Sequence, residues 1–493
     1  MNLKIFERLI TFFIIITLPF TSIPERFSIP GLGNNLNNYF LLIAAFIIFI
    51  KIWCNKFDDY KNIVVYVFLF IIWQIICLIH GLIIFDFNNL PKLENITKIK
   101  YLIQLLESCN IYIQEKSLIT LYLFLKFSRD ILFYNNIIFI SAVYIYFIYK
   151  EDFNKAFCDV RKAVLILVLI MGVYSIIEVL WLKFQLQDME RILVNLNVFL
   201  YDPCKYNSWH PPLLWYNQLR SLTVEPSFFG IISIFSLPFL WTYVYEKKNN
   251  VLMLLIFYFT FMIIATNSRT AIILLLFELL LLLIFTILRP KLFLYKNFLT
   301  ILFISIMAFI FNLAITNNSN FNNYLENNIV SVTKVESRSN EARLANLIAN
   351  IKVIAQYPIL GIGSGLKDPY IDKNLPEFSY DNYEVRNWSR YMNQKGFLDS
   401  PYPAPNKFVD IAVSNGIIGL LIFLFPFLYV YYKMFFQKEI LLKSVKLMLL
   451  IIIISSLLLA MLSASMFMVC DGIILGLLYL KIKEKNNTKN ENL

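Results

Sequence analysis

Only 16% of this 493-residue chain is charged, so ionisable groups at the ends of its apolar runs are candidates for chemistry. In Arg220-Ser-Leu-Thr-Val-Glu225-Pro226-Ser227 a polar segment enters an apolar run. Pro226 suits the first turn of a helix, where its missing N–H is not needed, which puts Glu225 at the N-cap. A carboxylate there complements the helix dipole. Glutamate is a poor cap, so the alternative is a general base at the edge of the run. Asn267-Ser268-Arg269-Thr270 is a tight turn between two further runs. Arg269 either snorkels to lipid headgroups or offers its guanidinium fork to a phosphate. A third segment, 339–356, has helical periodicity, with Leu344, Leu347, Ile348, Ile351 and Ala355 as its apolar stripe. Arg343, Asn346 and Asn350 fall together on one flank. Gly361-Ile-Gly-Ser-Gly365 follows and reads as a tight turn. The fourth segment runs from Pro403 to Gly419. Asn406 and Asp410, four apart, share a face if a helix has begun, and Lys407 adds a cation. A capped helix entrance and an acceptor-sugar site are both consistent with it. Asp471 reads as an interhelical hydrogen-bond partner and His210 as a surface or packing residue.

Positioning these groups falls to a membrane bundle. Hydrophobic residues make up 59% of the chain, aromatics 17%, and the mean hydropathy is +0.65. Soluble globular, disordered, collagen-like and disulfide-scaffold chains are excluded by that composition. About twelve runs are long enough to span a bilayer: 5–23, 37–54, 63–85, 133–149, 163–182, 227–245, 250–266, 270–288, 298–316, 410–432, 444–462 and 465–481. The first is read as a span, because Pro24-Glu25-Arg26 follows it without a small-residue cleavage site. The net charge of +11 reports topology before it reports nucleic acid, because short basic loops mark the cytoplasm. Lys4, Arg8, Lys51, Lys155, Arg161, Lys247, Arg289, Lys433, Lys446 and the Lys-rich tail then lie on one side with both termini. The segments 86–132, 183–226 and 317–409 lie outside, although 86–132 carries more cations than that rule favours. The last is too long for a mere connector. The chain divides into an N-terminal membrane half (1–226), central spans (227–316), an external loop domain (317–409) and C-terminal spans with a tail (410–493). Cys109 and Cys204 both fall outside, so a disulfide and two free thiols remain open. With two histidines and no Cys/His cluster, no metal site is expected.

Taken in order, Arg220 with Glu225-Pro-Ser, the Ser268-Arg269-Thr turn, Arg343 ahead of Tyr357-Pro-Ile-Leu-Gly-Ile-Gly-Ser-Gly365, and Asn406 near Ser414-Asn-Gly-Ile-Ile-Gly-Leu resemble the O-antigen polymerase and O-antigen ligase superfamily. The resemblance implies an all-α, GT-C-like polytopic fold in the bacterial inner membrane. It also implies periplasmic transfer of a glycan from undecaprenyl pyrophosphate. Its implied partners are that lipid-linked oligosaccharide, membrane lipid and a chain-length regulator protein, with no cofactor and no nucleic acid. Arg269, Arg343 and Arg220 are then the expected pyrophosphate ligands, replacing a metal. Glu225, followed by Asp410, is the expected base, and Asn406, Lys407, Asn346 and Asn350 line the acceptor. A ligase-like pattern has a histidine just before the asparagine of the last motif, where this chain has Pro405, so the polymerase branch is expected. A lipid-linked oligosaccharide flippase is the alternative from another class.

Overall fold

The computed structural model describes residues 3–29, 32–54, 61–87, 103–104, 106–111, 114–150, 152–201, 218–246, 249–292, 295–315, 338–436, 444–462 and 468–490. Among them the chain is helical, with only an isolated bridge between Ile29 and Gly33. The membrane helices are α1 (Leu3–Ile16), α2 (Leu36–Cys54), α3 (Lys61–Ile84), α4 (Glu115–Leu132), α5 (Ile137–Ile148) and α6 (Phe153–Phe184), followed by the short α7 (Gln187–Leu200). Next come α8 (Pro226–Glu246), α9 (Asn250–Ala265), α10 (Arg269–Leu288) and α11 (Tyr295–Ile315). A loop domain of α12 (Arg338–Gln356), α13 (Asp368–Lys373) and α14 (Tyr383–Lys395) precedes α15 (Lys407–Phe436), α16 (Val445–Ala460) and α17 (Met468–Asn490).

Among the described residues, eight segments are long and apolar enough to cross a membrane. Every run expected as a span contains a helix. However, α1, α9 and α16 have 14, 16 and 16 residues, short of the usual length, and α17 is charged along its second half. One bundle core joins α1, α5, α6, α8–α11 and α15–α17. A second core joins the far ends of α3 and α4 to the loop domain.

Ion pairs gather the basic residues at one end of the bundle. Arg8 grips Asp159 bidentately at 2.6 and 2.7 Å, and Lys51 reaches Glu7 at 3.0 Å. Glu246 takes Arg161 at 2.5 Å and Lys446 at 3.4 Å. The loop domain sits at the opposite end, called here the loop end.

The segment 86–132 corrects the sequence reading. Its second part is α4, which runs through a short turn into α5 as one apolar segment, Lys116–Ile148. Leu118, Leu123, Phe127 and Ile131 of α4 are buried against the loop domain. Its cations serve local contacts: Lys126 donates to the Leu398 carbonyl, Arg129 pairs with Asp130, and Lys116 lies over the Phe87 ring. They sit at the loop end because protein groups hold them there, which a charge count cannot see.

α15 is broken at Gly416, whose φ of 69° ends the first helical piece. The freed backbone groups are satisfied by the turn after α12. Ile362 and Gly363 N–H donate to the Val413 and Ser414 carbonyls, each at 3.0 Å, and Ile417 N–H donates to Pro358 at 2.8 Å. Trp73 Nε1 of α3 donates to the Asn415 carbonyl at 3.1 Å. Non-helical backbone at membrane depth persists only when protein groups satisfy it in this way. The fit demands glycine twice. A Cβ on Gly416 would lie 1.9 Å from the Ile359 carbonyl oxygen, and one on Gly361, at φ +64°, 2.5 Å from that of Val413. The expected tight turn at 361–365 is therefore the support of a discontinuous helix.

Candidate functional site

Arg220 lies wholly inside the protein at the loop end. Its guanidinium donates to the Thr223 carbonyl at 2.5 Å and the Tyr174 hydroxyl at 3.2 Å, and lies 4.7 Å over the Tyr201 ring. Glu178, buried in α6, accepts the backbone N–H of Arg220 at 3.0 Å and of Ser221 at 2.7 Å. A buried charge persists only when compensated, and the two charges attract without direct contact, since the Glu178 carboxylate is hydrogen-bonded to backbone N–H groups and not to the guanidinium. The expectation that Arg220 grips a substrate phosphate is corrected, because its donors are turned inward and no face reaches the surface. What it builds is the loop that carries Glu225.

That loop is tied to the turn holding Arg269. Leu219 N–H donates to the Ala265 carbonyl at 3.1 Å. Pro226 opens α8 as expected, with Glu225 immediately before it, and Arg269 is the first residue of α10. The two helices pack so closely that a Cβ on Gly230 would stand 2.6 Å from that of Ala271. Glu225 therefore lies about 7 Å along α8 from this contact and Arg269 about 3 Å along α10, on the same side. Two helix N-termini thus converge, each favouring an anion. Both side chains are half-buried. Among the described residues Glu225 has no cationic partner, accepting only the Ser227 hydroxyl at 3.2 Å, and Arg269 has no carboxylate.

A second cluster lies where the loop domain meets α15. Asn406 caps that helix, its Oδ1 accepting the Val409 N–H at 2.9 Å. Asp410 sits between Lys367 at 2.8 Å and the buried Lys407 at 3.5 Å. Burial opposes protonation of Lys367, but Asp410 and Asp368 outweigh it, and its pKa is raised. Asp368 is fully buried, with Oδ2 unpartnered. Burial pushes its carboxyl up to about 7 against the opposing pull of Lys367 and the Tyr402 N–H. Lys407 N–H donates to the Met461 carbonyl at 3.0 Å, just past α16. Because α16 packs on both α8 and α10 and its start is tied by Lys446 to Glu246 at the end of α8, its far end, with this cluster, lies toward Glu225 and Arg269. Beneath it Gln74, Asn135, Ser364, Ser414 and Asn415 line a polar cavity of about 20 Å³ floored by Phe70 and Phe423, about the size of one water.

The helix 339–356 forms as expected but faces the other way. Ala342, Ala345, Asn346, Ala349, Asn350 and Val353 are buried, whereas Leu344 is 40% and Ile351 52% exposed. Small residues let α12 approach its neighbours closely, and the larger stripe is left at the surface. Arg343 is exposed. Asn346 donates to the Pro403 carbonyl at 2.7 Å, and Asn350 to the Asn346 carbonyl at 2.7 Å. Asn346 therefore anchors the segment leading into α15, and Asn350 holds Asn346 in place. Asp471 is buried with one carboxylate oxygen unpartnered. Cys204 and His210 fall outside the described residues.

Sequence reasoning missed Glu178, Lys367 and Asp368. Glu178 carried a signal, an acid in an apolar run, but Lys367 and Asp368 look like ordinary loop charges until the fold brings them to Asp410.

No curated protein matches the chain. Its similarity supports the O-antigen ligase and polymerase superfamily without separating the two branches. The stretch that carries Arg269, Arg343, Asn406, Lys407 and Asp410 belongs to residues 253–424, which match the model of the O-Antigen ligase family, and it is to that family that the chain is similar.

Proposed function

We propose that the protein polymerises surface polysaccharide, passing a glycan from undecaprenyl pyrophosphate onto the next lipid-linked repeat unit at the outer face of the bacterial inner membrane. The single observation that supports this most is that Glu225 and Arg269 stand at converging helix N-termini, neither with an oppositely charged partner among the described residues. In the proposed step a sugar hydroxyl of the acceptor attacks the anomeric carbon of the donor. The bond from that carbon to the pyrophosphate oxygen breaks, and the electron pair leaves with the lipid pyrophosphate. Arg269 and the two N-termini stabilise the charge that grows there, while Glu225 takes the hydroxyl proton. Arg343, exposed on α12, is assigned to the glycan or its pyrophosphate from the loop-domain side. Asp410 is the weaker base, because two ammonium groups hold it and its cavity admits no sugar. With Lys407 and the cap Asn406 it positions the mouth of α15.

Pro405, where the ligase-like pattern has a histidine, supports the polymerase branch. The sidedness follows from the basic end, which we assign to the cytoplasm with both termini. The test is reconstitution of the purified protein with a lipid-linked repeat unit, read as a ladder on a gel. A ladder is expected. Transfer only when lipid A core is supplied would make the protein a ligase. Repeats that cross the bilayer without growing would make it a transporter.

A further inference from the structure

At the opposite end from Glu225, α3, α5, α15 and α17 leave an apolar cavity of about 240 Å³ between them. Tyr66, Phe139, Phe425, Tyr429, Leu475 and Tyr479 are among its walls, and Phe425 at the rim is 57% exposed. Toward the loop end it is closed. Phe139 stacks edge-on against Phe70 and Phe423, with ring centroids 5.5 and 6.0 Å apart, and separates it from the polar cavity below Lys407. Its most basic-end lining residues are Asn62 and Lys483. Lys483 lines the cavity 5.8 Å from the Tyr479 ring, and Lys433, one helical turn past the wall residue Tyr429 toward the basic end, lies 5.7 Å from that ring. Neither lysine has a carboxylate partner among the described residues. Lys51, Lys446 and Lys481 of the same end each meet one.

We infer that this groove binds one anionic phospholipid from the leaflet at the basic end, its acyl chain between the four helices and its phosphate at Lys433 and Lys483. An aromatic and aliphatic wall suits an acyl chain, and two cations without a carboxylate partner among the described residues suit an anionic headgroup and not a zwitterionic one. Depth decides against the polyprenyl tail. From Leu475 to Lys483 the groove is about 12 Å deep, close to one leaflet of a hydrocarbon core about 30 Å thick. A lipid-linked glycan whose head lies at the loop end would have to thread its tail past Phe70, Phe139 and Phe423.

The test uses the full-length protein in maltoside micelles with added phosphatidylglycerol, phosphatidylcholine or undecaprenyl phosphate, read by native mass spectrometry and thermal unfolding. A photoactivatable acyl-diazirine phosphatidylglycerol then maps the contact. Phosphatidylglycerol should stay bound and raise Tm, phosphatidylcholine should do neither, and labels should concentrate in 422–430 and 475–483. Lys433→Ala with Lys483→Ala should weaken retention roughly twenty-five-fold, at about a factor of five for each lysine. Ala142→Phe, which fills the groove and leaves both lysines in place, should abolish the labelling. Equal retention of phosphatidylcholine, labels spread evenly over the lipid-facing helices, or displacement by undecaprenyl phosphate would each overturn the assignment. The comparison of lipids on the unaltered protein keeps the test decisive even if a variant fails to fold.

Discussion

A carboxylate can take a proton from an attacking hydroxyl only while no neighbouring cation has claimed its lone pairs. Among the described residues the Glu225 carboxylate meets that condition, accepting the Ser227 hydroxyl and meeting no cation, and Asp410, between Lys367 and Lys407, does not. The two arginines of the region divide in the same way. Arg269→Ala should lower transfer by about a hundredfold or more, the scale on which preorganised charge acts. Arg269→Lys should recover part of it, because the charge survives but the fork does not. Arg220→Ala should lose folded protein instead, since it leaves Glu178 buried without its counter-charge, a loss of about 3–5 kcal/mol. Comparing transfer rate with Tm for the three variants checks the division. Asp368 gives a pH signature. Its pKa is about 7 folded against 3.8 unfolded, so the folded state binds the extra proton. The stability this carboxyl allows is highest at acidic pH and falls as pH rises from about 4 to about 7. Asp368→Asn should therefore raise Tm at pH 8 and leave it nearly unchanged at pH 4. The sequence marked Glu225 and Arg269 because each stood at the edge of an apolar run. It could not mark Arg220 as buried, since an arginine before a helix looks the same whether it faces water or a tyrosine.

At the scale of elements, the discontinuous α15 is the device that brings the loop domain against the membrane helices. Gly416→Ala would put a Cβ 1.9 Å from a backbone carbonyl oxygen, a clash that no side-chain rotation relieves. It should cost more than about 3 kcal/mol and lower the yield of monodisperse protein, as size-exclusion chromatography would report. The run 410–432 was legible as one span, and its break was not, because a glycine inside an apolar segment signals a helix, a bulge or a close approach equally well. The orientation of α12 was misread for a related reason. Hydrophobic periodicity weighs leucine and isoleucine above alanine, whereas close packing selected Ala342, Ala345 and Ala349. Glu178→Gln keeps the side chain's shape but removes its charge and one of the two oxygens that accept the Arg220 and Ser221 N–H groups. It should slow transfer and lower Tm together, which separates a positioning residue from a base.

For the molecule as a whole, composition was enough to read an all-α membrane bundle, because a bilayer leaves few other ways to satisfy a backbone. The cations of 86–132 were harder to place, since protein contacts and not topology hold Lys126 and Arg129. What the fold adds is polarity: ion pairs tie the helices at the basic end, and converging N-termini stand at the loop end with two charged groups that have no opposite partner among the described residues. The most direct measurement of that arrangement compares the unaltered protein with Glu225→Gln in proteoliposomes supplied with a lipid-linked repeat unit. The unaltered protein should build a ladder, and the variant, equally stable and equally abundant, should leave single repeats on the lipid. A full-length ladder from Glu225→Gln would contradict the account.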